Sequence, residues 1–319
     1  MNNKPFTNYN EQLNLLESRG IDLSTSDLKG RAKRYLQHEG YYNLINGYKY
    51  LFLEKGADGQ LVLPERYKEG TTVDEIYSLC MFDKRLRMIF LKQILSVETN
   101  IKNLIAYEFS KNHNENNYLI IQNFDTSKKN AIEKITGNIA SIHRQISDRS
   151  GDPSISHYLS NYGYVPLWVL SHILTFGMMG KFYSIMIQSE RQAIAKVLKL
   201  REEDLISMIN YVSSVRNICA HGNRLYCYRT KKPLADLEIH KDLCIPRSKK
   251  GEYLYGKRDL FGCVLALKML LPRNDFRSLT KQINNELRSL RSRLKILNEQ
   301  DILEIMGFPD DWRTQLERV

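Results

Sequence analysis

The stretch from Thr72 to His113 constrains the fold more than any other part of the chain. Its apolar residues recur every three or four positions, which is the repeat of an α-helix that buries one face. The residues that carry this repeat are Ile76, Leu79, Phe82, Leu86, Ile89, Ile94, Val97, Ile101 and Ile105. Thr71 or Thr72 is suited to cap the helix, and Asp74 and Glu75 place negative charge in its first turn. The sequence therefore predicts one long helix here.

The helical repeat covers most of the remaining chain and predicts an all-α protein. A second long helix is expected over about Glu203–Ala220. A third, near the C-terminus, carries on one face Leu279, Ile283, Leu287, Leu290 and Leu294. The turn-rich segment EKGADGQLVLPERYKEGTT leaves room for a small hairpin. We expect an N-terminal helical region at 1–70, a helical core at 71–232, and a basic connector with C-terminal helices at 233–319.

The composition of the chain predicts its solubility and the cell compartment in which it works. Of 319 residues, 42% are apolar, which is enough for a sizeable core without disulfide bonds. Polar residues interrupt every apolar stretch before it reaches the length of a membrane span, and the amino terminus lacks a secretory or transit signal. We therefore expect a soluble, cytoplasmic protein with no membrane partner. The five cysteines are scattered and odd in number, which favours reduced thiols.

Positive charge is concentrated in one part of the chain. Basic residues exceed acidic ones by 47 to 36, a net charge of +11. About half of this excess lies between Gly222 and Arg258, where ten basic residues stand against four acidic ones. Such a surface favours a polyanion such as RNA or DNA as partner. A stretch of this kind is as often only a solvated face, so charge alone leaves both interpretations open.

The segment SVRNICAHGNRLY joins the second long helix to this basic stretch. Arg216 is followed by Asn217, and five positions after the arginine comes His221 with Gly222 behind it. The Arg-x4-His spacing alone is a weak signal, since a similar spacing recurs once elsewhere in the chain. Residues five apart on an ideal helix differ by about 140° and do not share a face. Either the helix ends or distorts near Gly222, or a second chain supplies the opposing group.

This segment resembles the R-N-x3-H signature of HEPN-domain ribonucleases, in particular of the Abi family of abortive-infection proteins (AbiD/AbiF-like). The resemblance extends over almost the whole chain, in an ordered series of stretches. These are KPFTNYNEQLNLLESRGI, YLQHEGYYNLINGYKYLF, YKEGTTVDEIYSLCMFDKRLR, SVETNIKNLIAYEF, VPLWVLSHILTFGMMGKFY and MGFPDDWR. They are similar to the family's amino-terminal helix, a Tyr-rich element, a D-x-x-L-R helix, an I-E-x-x-hydrophobic-R helix and two later landmarks. In two places the chain departs from the family: Cys227 replaces a polar residue, and Lys102 replaces an arginine four residues after Glu98, a spacing that still allows an ion pair.

The resemblance implies a HEPN-type helical bundle with additional N- and C-terminal helices, and the activity of a metal-independent endoribonuclease. It assigns catalysis to Arg216, Asn217 and His221. Histidine exchanges protons near neutral pH, so His221 suits the base that activates a ribose 2′-OH or the acid that protonates the leaving oxygen. Arg216 can grip two phosphate oxygens, and Asn217 can orient the histidine or the phosphate. The expected products carry a 2′,3′-cyclic phosphate and a 5′-OH.

The family resemblance also implies partners. One copy of the motif per chain provides one catalytic histidine, which favours a homodimer, because acid and base act on opposite sides of the phosphate and the family's motifs meet across a dimer interface. The expected role is that of a phage-defence effector or toxin, held inactive by an antitoxin that is a small RNA or a protein. We expect the RNA to follow the basic segment, through Arg224, Tyr226, Tyr228, Arg229, Lys231 and Lys232.

Two other interpretations stay open at this point. Metal-binding atoms occur within 26 positions, at Cys219, His221, Cys227, His240 and Cys244. Their spacing matches no common zinc pattern, and we predict no metal and no cofactor. A HEPN-like bundle can also serve a non-catalytic RNA-binding or adaptor protein, because a fold does not determine an activity.

Overall fold

A helix of 40 residues, α4 (Val73–Asn112), is the longest element of the computed structural model, which describes residues 5–318. At the helical rise per residue its axis is about 60 Å long. The hydroxyl of Thr72 accepts a hydrogen bond from the Glu75 backbone N–H at 3.4 Å, and Asp74 and Glu75 lie in the first turn. The long helix predicted from Thr72 to His113 is confirmed, with Thr72 as its N-cap.

Fourteen further α-helices accompany α4 within the described residues. They are α1 (Tyr9–Ser18), α2 (Ser26–Glu39), α3 (Tyr41–Tyr48), α5 (Ala131–Asp148), α6 (Pro153–Tyr162), α7 (Leu167–Ile173), α8 (Phe176–Ile185), α9 (Gln188–Val197), α10 (Glu202–Ala220), α11 (Glu238–Asp242), α12 (Leu260–Leu270), α13 (Arg273–Arg291), α14 (Glu299–Met306) and α15 (Trp312–Arg318). Two short 3₁₀ helices, Lys49–Phe52 and Ile121–Asn123, complete the set. Between residues 5 and 318 no helix combines the length and the apolar character that crossing a lipid bilayer requires.

The other helices pack along α4 from three parts of the sequence. Contacts to α4 come from α2 and α3, from α7 to α10, and from α12 and α13. The side chains of α4 that these helices cover include Phe82, Leu86, Phe90 and Ile94, all fully buried. They belong to one hydrophobic cluster that draws residues from 1–70, 71–232 and 233–319 alike. The division into those three regions stays a prediction.

Polar contacts also hold the N-terminal helices against α4. The guanidinium of Arg31 on α2 donates to both carboxylate oxygens of Asp74, at distances from 2.8 to 3.1 Å. Nearby, the rings of Tyr35 and Tyr77 stack with their centroids 3.9 Å apart. These contacts set the position of α2, and of α3 directly after it, beside the first half of α4.

The turn-rich segment contains no full hairpin. It forms two isolated antiparallel bridges, Leu53 with Tyr67 and Lys55 with Leu61. Elsewhere in residues 5–318 the only β-pairing is again by isolated bridges, and no strand is formed. The all-α fold class is therefore confirmed.

The amphipathic helix expected near the C-terminus is α13. Leu279, Ile283, Leu287 and Leu290 are buried as predicted, and Arg85 on α4 donates to Glu286 on its flank at 2.5 Å. Leu294 was expected on the same face, but α13 ends at Arg291 and Leu294 lies half-buried in the turn beyond it.

Candidate functional site

The segment RNICAH forms the last turn and the end of α10. The helix ends at Ala220, and the backbone N–H of His221 donates to the Asn217 carbonyl at 3.0 Å. Gly222 follows with φ of 71°, a left-handed conformation that glycine adopts without strain. The helix end predicted near Gly222 as one of two alternatives is therefore present.

Arg216 lies beside the second half of α4. Its Nε donates to Oε2 of the buried Glu98 at 3.3 Å, and 30% of its side chain stays exposed. Glu98 also pairs with Lys102 at 2.8 Å, so the ion pair that their spacing allows is present. Lys102 in turn donates to the Leu174 carbonyl at 2.6 Å. The neighbouring predicted residue, Asn217, is exposed.

The loop after α10 is held by one buried carboxylate, that of Asp83 on α4. Its Oδ1 accepts hydrogen bonds from the backbone N–H groups of Leu225 at 2.9 Å and Tyr226 at 2.7 Å. Its Oδ2 accepts from the Tyr48 hydroxyl at 2.8 Å and from the guanidinium of Arg87. Burial raises the pKa of the Asp83 carboxyl, and these four donors oppose the rise. Asp83 thereby ties α3, α4 and the loop after α10 together.

His221 lines an open cavity of about 500 Å³ at the junction of these three segments. A volume of this size is typical of small-molecule sites, which span about 300–1,000 Å³. The complete lining is Glu39, Tyr42, Asn43, Asn46, Gly47, Tyr48, Cys80, Lys84, Arg87, His221, Gly222, Asn223 and Arg224. Three cations, Lys84, Arg87 and Arg224, stand against the single carboxylate of Glu39. The lining therefore favours an anionic group.

Three titratable side chains of the lining, those of Glu39, Cys80 and His221, have different surroundings. Burial opposes ionisation of Glu39, but hydrogen bonds from Lys84 and His38 lower its pKa, and its carboxylate accepts from Lys84 Nζ at 2.6 Å. Burial raises the pKa of Cys80 to about 11, so this thiol stays protonated near neutral pH and is a poor nucleophile. His221 is exposed, and its imidazole forms no hydrogen bond within residues 5–318.

Arg216 and His221 are held at different heights along α4. Arg216 pairs with Glu98, whereas His221 shares its cavity with Arg87. Glu98 lies eleven positions after Arg87 on α4, whereas Arg216 and His221 are five positions apart at the end of α10, about 7.5 Å of helix rise. Arg216 does not line the cavity. In a single chain, therefore, the guanidinium of Arg216 pairs with Glu98 and is not part of the cavity that contains His221.

Two residues predicted to contact RNA lie in the interior. Tyr226 and Tyr228 are only 2% and 6% exposed, so neither ring can stack on a base, and that expectation is wrong. The Tyr226 ring stacks on Tyr48 with centroids 5.5 Å apart, and the Tyr228 hydroxyl lies 2.5 Å from Ser214 Oγ. The physical reason is the pair of backbone hydrogen bonds to Asp83, which turns this loop back onto α4.

The four basic residues of the same predicted set are exposed. Arg224 donates to two backbone carbonyls of α3, each at 3.1 Å, and Arg229 donates to two other carbonyls at 2.8 and 3.0 Å. Lys231 and Lys232 follow on the surface. All four cations are therefore on the surface, and Arg224 is the one of them that also lines the cavity.

The cysteine and histidine residues weighed as zinc ligands have separate environments. Cys219 is buried in α10, whereas Cys244 is exposed beyond α11. His240 is buried, with Nε2 2.9 Å from the Gly256 carbonyl and Nδ1 3.1 Å from the Leu237 nitrogen. In the part of the chain that the structure describes, no three His, Cys, Asp or Glu side chains are grouped closely enough to hold a metal ion.

Nine of the thirteen residues that line the cavity lie on α2, α3 and α4, and the sequence patterns gave them no role. Tyr42, Asn43 and Asn46 belong to α3, and Lys84 and Arg87 belong to α4. Both stretches contribute to the family resemblance only as landmarks. The Asp-x3-Arg spacing within FDKRLR is a signal for the Arg87 ion pair, because residues four apart share a helix face. The approach of α3 to the end of α10 has no such local signal.

A family model described as Abi-like protein matches residues 34–227. The match covers more than half of the chain and includes α3, α4, α10 and the whole lining of the His221 cavity. This chain therefore belongs to the Abi-like protein family, whose members are associated with abortive infection, a form of phage defence. No curated protein and no solved structure gives a significant match.

The Asp83 hydrogen bonds can be tested by Asp83→Asn, which keeps the shape of the side chain and removes its charge. Breaking one partner of a buried ion pair is expected to reduce the free energy of unfolding by about 3–5 kcal/mol. Urea denaturation measures this loss. Hydrogen exchange at the amides of Leu225 and Tyr226 is expected to accelerate, because a neutral amide oxygen is a weaker acceptor than a carboxylate.

The matched control is Asp27→Asn, which also removes the acid of an Asp–Arg pair four residues apart on a helix. The Asp27 side chain is 69% exposed, and water screens its attraction to Arg31, so stability is expected to stay nearly unchanged. Equal losses in the two variants would contradict a special role for Asp83.

Proposed function

We propose that this Abi-like chain is a metal-independent endoribonuclease of the HEPN type and acts as a phage-defence effector or toxin. The observation that carries the proposal is the cavity in which exposed His221 shares an open lining with Lys84, Arg87 and Arg224. Three further cavities of the described chain have no histidine in their lining. A proton-exchanging imidazole beside fixed positive charge suits cleavage of RNA through its own 2′-OH.

In the proposed reaction, His221 takes the proton of a ribose 2′-OH. The 2′-oxygen attacks the adjacent phosphorus, the bond from phosphorus to the 5′-oxygen breaks, and that oxygen takes a proton from the protonated His221 of a second chain. Guanidinium and ammonium groups stabilise the negative charge that grows on the phosphate oxygens. The products are a 2′,3′-cyclic phosphate and a 5′-OH. Proton transfers and charge stabilisation thus come from side chains.

In the proposed homodimer, a second chain provides the second histidine and the second Arg216 of the site. One cavity contains a single histidine, and its lining does not include Arg216, whose guanidinium pairs with Glu98. A two-fold axis near the end of α10 would gather two Arg216, Asn217 and His221 sets around one cleft. An acid and a base could then act on opposite sides of one phosphate.

The exposed cations beyond the cavity form the proposed path of the RNA backbone. Arg224, Arg229, Lys231 and Lys232 extend from the cavity over the surface, and cations of this kind bind phosphates without regard to sequence. A small RNA antitoxin could occupy the same path and hold the enzyme inactive in the cytoplasm, and a protein antitoxin is the other candidate. Sequencing the RNA that copurifies with His221→Ala protein tests the former, and its absence would favour the latter.

One observation favours the alternative of a non-catalytic RNA-binding or adaptor protein. Arg216 is paired with Glu98 and lies outside the His221 cavity, so in a single chain its guanidinium serves as part of a structural ion pair. A binder of this kind would keep its cellular effect after His221→Ala, whereas a nuclease would lose it.

Purified protein is expected to cleave RNA in the presence of EDTA. His221→Ala is expected to reduce the rate by at least about 100-fold, because general acid–base catalysis contributes about 10²–10⁴. Denaturing gels of labelled RNA measure the rate. His143→Ala is the matched control, since His143 is exposed on α5 and lies outside the cavity. Loss of all cleavage on chelation would refute the metal-independent mechanism.

Mixing subunits tests whether two chains share one site. After wild-type and His221→Ala chains are co-expressed in equal amounts, random pairing leaves about one quarter of the dimers with two intact chains. Activity at fixed total protein is therefore expected to fall to about a quarter if each cleft needs both histidines. Independent sites would instead retain about half, and a monomer in sedimentation would rule the dimer out.

The RNA path is tested by changing Lys231 and Lys232 to glutamate together. Affinity for RNA is expected to fall, and the dependence of binding on salt to become shallower, because fewer counterions are released. Changing the exposed pair Lys128 and Lys129, which precedes α5, is the matched control. Equal effects of the two double variants would mean that only net charge matters.

A further inference from the structure

An exposed tyrosine faces the same cavity as His221. Tyr42 on α3 lines this cavity, and its side chain is 78% exposed. The helix is anchored by a different set of residues, since Leu44, Ile45 and Tyr48 are buried. The Tyr42 ring is thus not needed to pack α3 against the core. A flat aromatic face beside a cationic cavity is the usual platform for an unpaired nucleic-acid base.

Two amide side chains accompany this ring. Asn43 and Asn46 line the cavity from the same helix and are exposed, and neither amide hydrogen-bonds to another side chain or to backbone within residues 5–318. A carboxamide offers a donor and an acceptor side by side, which matches the paired donors and acceptors on the edge of a base. The amides and the ring therefore have complementary roles. The amides can hydrogen-bond to the edge of a base, and the Tyr42 ring can stack on its face.

The ring is held in a fixed relation to the histidine. Arg224, three residues after His221, donates to the carbonyls of Asn46 and Gly47 at 3.1 Å each. On the opposite side of α3, Tyr48 donates to Asp83, which also binds the loop after α10. The helix that carries Tyr42 is therefore connected to the histidine loop at two points. A base on Tyr42 would keep its position relative to the reacting phosphate.

We propose that Tyr42, with Asn43 and Asn46, forms a nucleobase subsite next to the phosphate-binding cations. The subsite rests on the proposed ribonuclease function and deepens it, because it defines the substrate class as RNA with an unpaired nucleotide at the cavity. In a duplex, both faces of a base are covered by its neighbours and its edge is paired, so it cannot occupy this position. A base in a loop, bulge or single strand can.

Binding is measured on a His221→Ala background, so that the RNA stays intact. The probes are a fluorescein-labelled single-stranded RNA and a labelled duplex of the same sequence. Fluorescence anisotropy measures the affinity of the protein for each. Tyr42→Ala is expected to weaken single-strand binding by about fivefold or more, since stacking contributes about 1–3 kcal/mol per base and 1.4 kcal/mol is tenfold. Tyr42→Phe, which keeps the ring, is expected to change it less than about twofold, and duplex binding is expected to stay unchanged.

The matched control is Tyr162→Ala, another exposed tyrosine, 58% accessible, on α6 and outside the cavity lining. Equal affinity of the Tyr42→Ala and Tyr162→Ala proteins, or equal loss on single strand and duplex, would overturn the subsite. Thermal melting of each variant checks that it is folded.

The two proposals fail in distinguishable ways. Protein that binds single strands through Tyr42 but never cuts them would refute the nuclease and leave the subsite in place. If protein with His221 intact cuts RNA equally well with and without the Tyr42 ring, the subsite is refuted and the nuclease stands.

Discussion

The Asp83 carboxylate holds together the three segments that form the His221 cavity. It accepts hydrogen bonds from α3, from its own helix and from the backbone of the loop after α10. A buried charge is tolerated only when its hydrogen-bonding capacity is used, and here four donors use it. If any of the three segments moved away, the carboxylate would lose one or more of these donors. The relative position of Tyr42 and His221 therefore depends on this side chain, together with the hydrogen bonds from Arg224 to α3.

The long helix α4 sets the spacing of the site. Asp83 and Arg87 bind the loop after α10, and Glu98, eleven positions after Arg87 on α4, accepts a hydrogen bond from Arg216. Arg216 contacts α4 at Glu98, and the later residue Asn223 contacts it at Arg87. The chain therefore runs antiparallel to α4 here. Within this six-residue motif, Arg216 therefore contacts Glu98, whereas His221 lines the cavity that contains Arg87. In the proposed enzyme a second copy completes the site, and the symmetry of the dimer replaces contacts that a single chain does not make.

Much of this fold could be predicted from the periodicity of apolar residues, because core-facing positions on a helix repeat locally. The bounds of α4 and the buried face of α13 are examples, and the early end of α13 before Leu294 is the kind of boundary that periodicity does not define. The Asp83 hydrogen bonds could not be predicted in this way, since they join residues 142 and 143 positions apart. Tyr226 and Tyr228 were misplaced for the same reason. Among basic residues they resemble surface aromatics, and only the tertiary contact with α4 buries them.

The central claim is that His221 of this Abi-like protein cuts RNA through the 2′-OH. The most direct measurement is to express wild-type and His221→Ala protein in cells and map the ends of the cellular RNA. Wild-type protein is expected to produce new 2′,3′-cyclic phosphate and 5′-OH ends at unpaired positions, and the variant to produce none. New ends that persist in the variant, or ends with a 3′-OH and a 5′-phosphate, would contradict the account.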